Sequence, residues 1–153
     1  MSTANKALAC RYVEEVLNKG NTTLIDELVA QSFIGHDPTG PDIHGLESVK
    51  QQQATYLSAF PDLHYTVEEV VAENDTVVLR WTVHGTHLGE TMGIVPTRKQ
   101  VTIVGTTTCH IADGKLQEAW IDWDALGLLR QLGATPHIRN TPQGRHRKGK
   151  STT

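Results

Sequence analysis

The feature that most constrains this chain is a change of hydrophobic rhythm at about residue 61. Before it, apolar residues recur at helical spacing; after it, long β-branched runs are broken by hairpin signals. In the stretch from Asn5 to Gly20, Leu8, Tyr12, Val13, Val16 and Leu17 follow the 3.6-residue period, and Gly20 is a natural stop. The stretch from Asn21 to Phe33 predicts a second, shorter helix with Thr22 or Thr23 as its cap and Leu24, Ile25, Leu28 and Val29 on one side. A Gly-, Pro- and Asp-rich loop follows. A third helix is predicted from Leu46, with Leu46, Val49, Tyr56, Leu57 and Phe60 inward, and Pro61 ends it.

Beyond that point "LHYTVEEVVA" and "TVVLRWTVHG" flank the turn "END", and "KQVTIVGTTTCHI" and "KLQEAWIDWD" flank "ADG". Both pairs read as antiparallel hairpins. A short helix, "ALGLLRQLG", closes the pattern before Pro136. Helices first and a meander of strands afterwards define an α+β fold. Three helices covering one face of a curved, mostly antiparallel sheet enclose a cone-shaped pocket, and no internal repeat is visible. The expected organisation is one domain over 1–135 and a tail over 136–153.

That tail holds five of the 14 basic residues and no acid, and its composition predicts disorder. The remaining chain carries nine basic against 17 acidic residues, a net of −8, which argues against a nucleic-acid-binding domain. No apolar run approaches the ~20 residues that span a bilayer, so no membrane partner is expected. The N-terminus lacks the apolar region of a secretory signal. With Cys10 and Cys109 read as reduced thiols, a cytoplasmic protein is expected.

Several chemistries lack their motifs. There is no glycine-rich phosphate loop and no nucleophile elbow. Among the eight histidines, no spacing suits a metal, and none is expected. What stands out is "QEAWIDWDALGLLRQLG", where Asp122 and Asp124 sit beside Trp120 and Trp123. Side chains alternate along a strand. One face of the last strand therefore carries Glu118, Trp120, Asp122 and Asp124, and the other Ala119, Ile121 and Trp123. Both sets are mixed in polarity, and local sequence leaves the choice open. It leaves roles open too. Asp124 precedes a helix and suits an N-cap. Asp122 can pair with Arg80 or sit at a dimer interface, and His84 and His87 can line the cavity mouth or structure a turn.

The segments "NKALACRYVEEVLNKGN", "FIGHDP", "AFPDLHYTVEEVVAENDTVVLRWTVHGTHLGE", "MGIVPT" and "WIDWDALGLLRQLG", in that order, resemble the SnoaL-like polyketide cyclases, or ester cyclases. The resemblance spans about residues 5–135. It implies the nuclear transport factor 2-like cone-shaped α+β barrel and a cofactor-free, metal-free intramolecular aldol ring closure on a hydrophobic carbonyl or ester substrate. It maps the acid/base onto Asp124 and a pocket histidine onto His110. His36 falls where the best-known cyclases carry asparagine, and with His110 it is expected to act in catalysis by donating hydrogen bonds to the enolate oxygen. It also turns Trp120, Asp122, Asp124 and His110 inward, with Thr106 and Thr108 beside them. Trp120, Asp122, Thr108, Tyr56 and Gln53 are then the expected substrate contacts. Apolar walls and a neighbouring carboxylate would raise the Asp124 pKa toward the range useful for acid/base work. A homodimer or higher homo-oligomer is expected, because such a sheet leaves a broad outer face. The rival readings are a hydrolase, an epoxide-opening enzyme or an isomerase on the same scaffold, and a non-catalytic small-ligand binding protein.

Overall fold

The computed structural model describes residues 2–134; the basic tail read over 136–153 lies outside them. Helix α1 (Ser2–Arg11) runs without a break into a π-helical segment, Tyr12–Asn18. The Lys19 N–H donates to the Glu14 carbonyl, five residues back, at 3.1 Å. A π segment is a rare, widened turn that commonly marks a functional site. Gly20, at φ 70°, ends it in the left-handed conformation that glycine adopts at little cost.

The expected second helix is shorter than its periodicity suggested. One 3₁₀ turn (Thr22–Leu24) and α2 (Ile25–Leu28) give way to strand β1 (Val29–His36). The sequence reading carried the helix to Phe33. Tertiary pairing overrides that local rhythm, because β1 lies parallel to the last strand and pairs Gly35 with Ala119 and His36 with Trp120. The two-residue β2 (Ile43–His44) adds an edge. Helix α3 (Gly45–Ala59) follows, and its end is tied by the Phe60 N–H to the Tyr56 carbonyl at 2.8 Å, one residue before Pro61.

The remaining strands are β3 (His64–Glu73), β4 (Thr76–Thr86), β5 (Gln100–Ala112) and β6 (Lys115–Trp123); α4 (Ala125–Gln131) closes the fold. Sheet order is β2-β1-β6-β5-β4-β3. Both hairpins form where their turn residues placed them. Asp113 and Gly114 take φ of 54° and 67°, the paired left-handed conformations a tight hairpin requires. Register irregularities in β1, β3 and the β5–β6 pair curve the open sheet over the helices.

Strand β4 decides which face looks inward. Val77, Leu79, Trp81 and Val83 are buried, while Arg80 and His84 are exposed. Directly paired residues share a face. Trp81 pairs with Gly105 and Leu79 with Thr107; Gly105 in turn pairs with Trp123, Thr107 with Ile121 and Cys109 with Ala119. The inward set of β6 is therefore Ala119, Ile121 and Trp123. Trp120, Asp122, His110, Thr106 and Thr108 lie on the outer face, which corrects the orientation expected from the resemblance. At Gly105 no side chain fits, since a Cβ there would collide with the Trp81 ring and the Asp122 carbonyl. Glycine in mid-strand is here the condition for seating the indole. Burying a side chain such as Trp81, Leu79 or Phe33 stabilises the fold by about 1.5–3 kcal/mol each.

Candidate active site

The helices and the inward face of the sheet enclose a cavity of about 230 Å³. Its walls are almost wholly apolar, with Val29 and Phe33 from β1, Leu79 and Trp81 from β4, and Ile103 from β5. The lining includes no Lys, Arg, His, Asp or Glu. Part of the roof is the connection between β4 and β5, which brings Thr91 and Met92 to the cavity.

One carboxylate is hydrogen-bonded to side chains of this wall. Asp37 leaves the end of β1 and heads a tight turn: its Oδ1 accepts from the Thr39 N–H at 2.9 Å and the Thr39 hydroxyl at 2.6 Å. This is the Asx geometry that Asp commonly supplies in loops. Trp123, the last residue of β6, donates its indole N–H to Asp37 at 3.2 Å. Tyr56, on α3, donates its hydroxyl to Oδ2 at 3.3 Å and accepts from Gln52 Nε2 at 3.0 Å. Thr39, Tyr56, Gln52 and Trp123 all line the cavity. Burial pushes the Tyr56 phenol far above the usual tyrosine range, and the Asp37 charge pushes it further. Tyr56 is thus held protonated, as a donor.

The other expected site residues are placed as follows. Tyr56 and Gln53 are in the cavity wall, where buried Gln53 donates to the Val16 carbonyl at 3.1 Å. Asp124 is exposed; it caps α4 by accepting from the Gly127 N–H at 2.8 Å. A side chain at residue 127 would occupy the space of that carboxylate. The apolar surroundings expected around Asp124 are therefore missing. Asp122 is exposed and does not pair with Arg80, which binds Glu69 at 2.9 Å instead. His110 is exposed on the outer face, edge-on to Trp120 with centroids 4.8 Å apart; Thr108 is on the same face. Trp120 is wedged between that ring and His36, stacked at 5.3 Å.

His36 itself bridges two carboxylates, with Nε2 2.7 Å from Glu118 and Nδ1 3.0 Å from Asp42. It faces away from the cavity, one residue from Asp37, and fixes the chain on both sides of the Asp37 turn. The hydrogen bond to Glu118 is the main reason its pKa stands above 6.5, with Asp42 second. His87 structures a turn, one of the two readings open to it. It is fully buried, and its Nδ1 accepts from the Thr97 N–H at 3.1 Å.

Sequence reasoning missed Asp37 and Trp123. Both stood inside quoted motifs, "FIGHDP" and "WIDWD". Their neighbours His36, Asp122 and Asp124 drew the assignment, a displacement of one residue in each case. Among the described residues no cluster of ligating side chains suits a metal ion, and no helix is long and apolar enough to cross a membrane.

Helices and a curved sheet thus enclose an apolar cavity, with one acid hydrogen-bonded to its wall. The family model for SnoaL-like polyketide cyclases matches residues 7–132, and the chain belongs to that family. Solved structures agree in fold. A candidate SnoaL-like polyketide cyclase from Jannaschia sp. CCS1 is 25% identical, with TM-score 0.81, over 88% of this chain and 95% of that one. AclR, a candidate hydroxylase from Streptomyces galilaeus, is 28% identical, with TM-score 0.78, over 92% and 91%. IdmH, a candidate polyketide cyclase from Streptomyces antibioticus, is 27% identical, with TM-score 0.74, over 84% and 98%. No curated protein matches the sequence.

Proposed function

We propose that this protein is a cyclase-type enzyme of that family which closes a ring in a hydrophobic carbonyl or ester substrate, with Asp37 as its acid/base. The observation that carries this reading is the convergence of Trp123, Tyr56 and Thr39, all cavity-lining, on the Asp37 carboxylate. In an intramolecular aldol closure, a C–H beside one carbonyl loses its proton to Asp37. The enolate carbon then bonds to a second carbonyl carbon, and the new alkoxide takes the proton back from the protonated Asp37. Tyr56 gives its single O–H to Asp37 and so orients the carboxylate from the cavity side. The indole of Trp123 keeps the carboxylate oriented. General acid/base catalysis of this kind contributes about 10²–10⁴-fold, and folding a flexible substrate within the cavity contributes through proximity. No residue of the mechanism calls for a metal or an organic cofactor.

The test is a ring-closure assay on a panel of hydrophobic β-keto esters. Asp37→Asn is expected to lower kcat at least about 10²-fold with little change in melting temperature. Asp124→Ala is expected to leave kcat intact while costing about 1 kcal/mol of stability through the lost cap. Full turnover in Asp37→Asn removes the assignment. If both variants bind ligand as the parent does and no carbonyl substrate is turned over by any of them, the molecule is a binding protein.

The same reading places the enzyme in a reducing, cytoplasmic setting, which suits the free Cys10 and Cys109. It also includes a homodimer formed through the outer sheet face, where Val71 and Val104 are more than half exposed.

A further inference from the structure

Of the residues that line the cavity, only Thr39 and Met92 are exposed to solvent. They mark where the cavity meets water. The Thr39 hydroxyl is pinned to Asp37 at 2.6 Å. Met92 is half exposed and carries an unbranched, freely rotating thioether that fits irregular gaps. Of the two, Met92 is the side chain that can move.

The backbone beneath it is fixed. Residues 87–99 form an arm between β4 and β5. At its base the His87 N–H donates to the Lys99 carbonyl at 2.9 Å, and the Arg98 N–H to the His87 carbonyl at 2.8 Å. The His87 ring packs on Phe60, with centroids 5.5 Å apart, and its Nδ1 accepts from the Thr97 N–H at 3.1 Å. That bond puts the ring proton on Nε2, a buried atom with no partner. The base is thus kept even though it leaves a donor unsatisfied. Further along, the N–H groups of Leu88 and Gly89 both donate to the Ala59 carbonyl, at 3.0 and 3.1 Å. A Cβ at Gly89 would overlap the Ser58 carbonyl, so only glycine lets the arm lie this close to α3. At the tip, Thr91 and Ile94 exchange backbone hydrogen bonds at 3.2 and 2.8 Å around Met92 and Gly93.

That tip has an unexpected residue in it. Met92 and Gly93 take φ of 51° and 76°. Successive left-handed residues of this kind are formed most readily by Asn-Gly or Asp-Gly, and the β5–β6 hairpin does use Asp113-Gly114. A long apolar side chain gains nothing from that backbone and is strained by it. Turn chemistry therefore does not account for methionine here. The opening beside it does, since an adaptable apolar side chain covers an apolar mouth.

We propose that Met92 is the gate of the cavity: its side chain covers the mouth and swings aside to admit a neutral, apolar ligand while the arm stays in place. The ligand is neutral because the lining offers no charged group to balance an ion. A gate raises the barrier to entry and to exit alike. Met92 thus governs how fast, and up to what bulk, ligands pass, and not how tightly they are held. The inference rests on the cavity and its mouth, not on the reaction assigned to Asp37.

Stopped-flow binding of 6-propionyl-2-(dimethylamino)naphthalene, a neutral apolar fluorophore, tests this without turnover. Met92→Asn supplies the better turn residue and removes the cover. It is expected to raise the association and dissociation rates together, roughly 3- to 10-fold as for a few methylene contacts no longer broken on opening. Its Kd should stay near that of the parent and its melting temperature should not fall. Val95→Asn, on the same arm but outside the lining, is expected to bind at the parent's rates. Hydrogen exchange at the Thr97 amide is expected to be as slow in Met92→Asn as in the parent. Unchanged rates in Met92→Asn overturn the proposal, as does equal acceleration in Val95→Asn or a parent that does not bind the fluorophore. A change in dissociation alone makes Met92 a contact of the bound ligand instead. Lost protection at Thr97, or a melting temperature well below the parent's, makes Met92 a prop of the arm and equally removes the gate.

Discussion

Asp37 and Asp124 carry the same side chain in opposite circumstances. Asp124 faces solvent and serves a helix end; Asp37 takes hydrogen bonds from an indole, a phenol and a threonine at the wall of an apolar cavity. His36, next to Asp37, gives a pH-dependent prediction. Its pKa is raised above the ordinary 6.5, chiefly by Glu118 and then by Asp42. A raised histidine pKa adds stability that is fully present below the unfolded value and fades as pH climbs through the folded one. The stability gap between the parent and His36→Gln is therefore expected to be widest below about pH 6 and to shrink as the solution becomes alkaline. Melting curves from pH 5 to 9 measure it; a gap that widens with pH contradicts the pairing. Asx-turn chemistry at "HDPTG" was legible in the sequence, since Asp before Pro-Thr-Gly favours a turn. That Trp123 and Tyr56 would converge on this aspartate was not, because those contacts join segments far apart in the chain.

At the scale of elements, the strand faces hang on one glycine and one register. Gly105→Ala would drive a methyl group into the Trp81 ring and the Asp122 carbonyl. It is expected to cost about 1–3 kcal/mol, measurable by urea unfolding; an unchanged midpoint would show that the indole is not seated there. The hairpins, their turns, the third helix and the closing helix follow from local chemistry, so the sequence predicts them well. Strand β1 does not, because its hydrogen-bond partner is β6, and nothing in "VAQSFIGH" announces that pairing. The inward face was partly legible. In β4, Leu79, Trp81 and Val83 alternate with Arg80, Thr82 and His84, a contrast sharp enough to choose a side. Carried across the register, it would have turned Trp123 inward. A family correspondence shifted by one residue reversed every side chain of β6 instead.

For the whole molecule, a sheet curved over its helices leaves its convex side uncovered. Val71 and Val104 are 58% and 55% exposed there, alongside Thr106, Thr108 and Trp120. Light scattering is expected to return twice the chain mass for the parent and the single chain mass for Val104→Lys, since a buried unpaired ammonium opposes association. A parent protein that is monomeric at working concentrations removes the dimer from the reading.

The bond between Asp37 and Trp123 joins residues 86 positions apart. Such long-range closure is slow and comes late, because a large loop must be ordered before the contact repays it. During synthesis the indole leaves the ribosome long after the carboxylate it will hold. The Asp37–Trp123 contact is thus withheld from every partial chain and forms only when the first strand zips against the last.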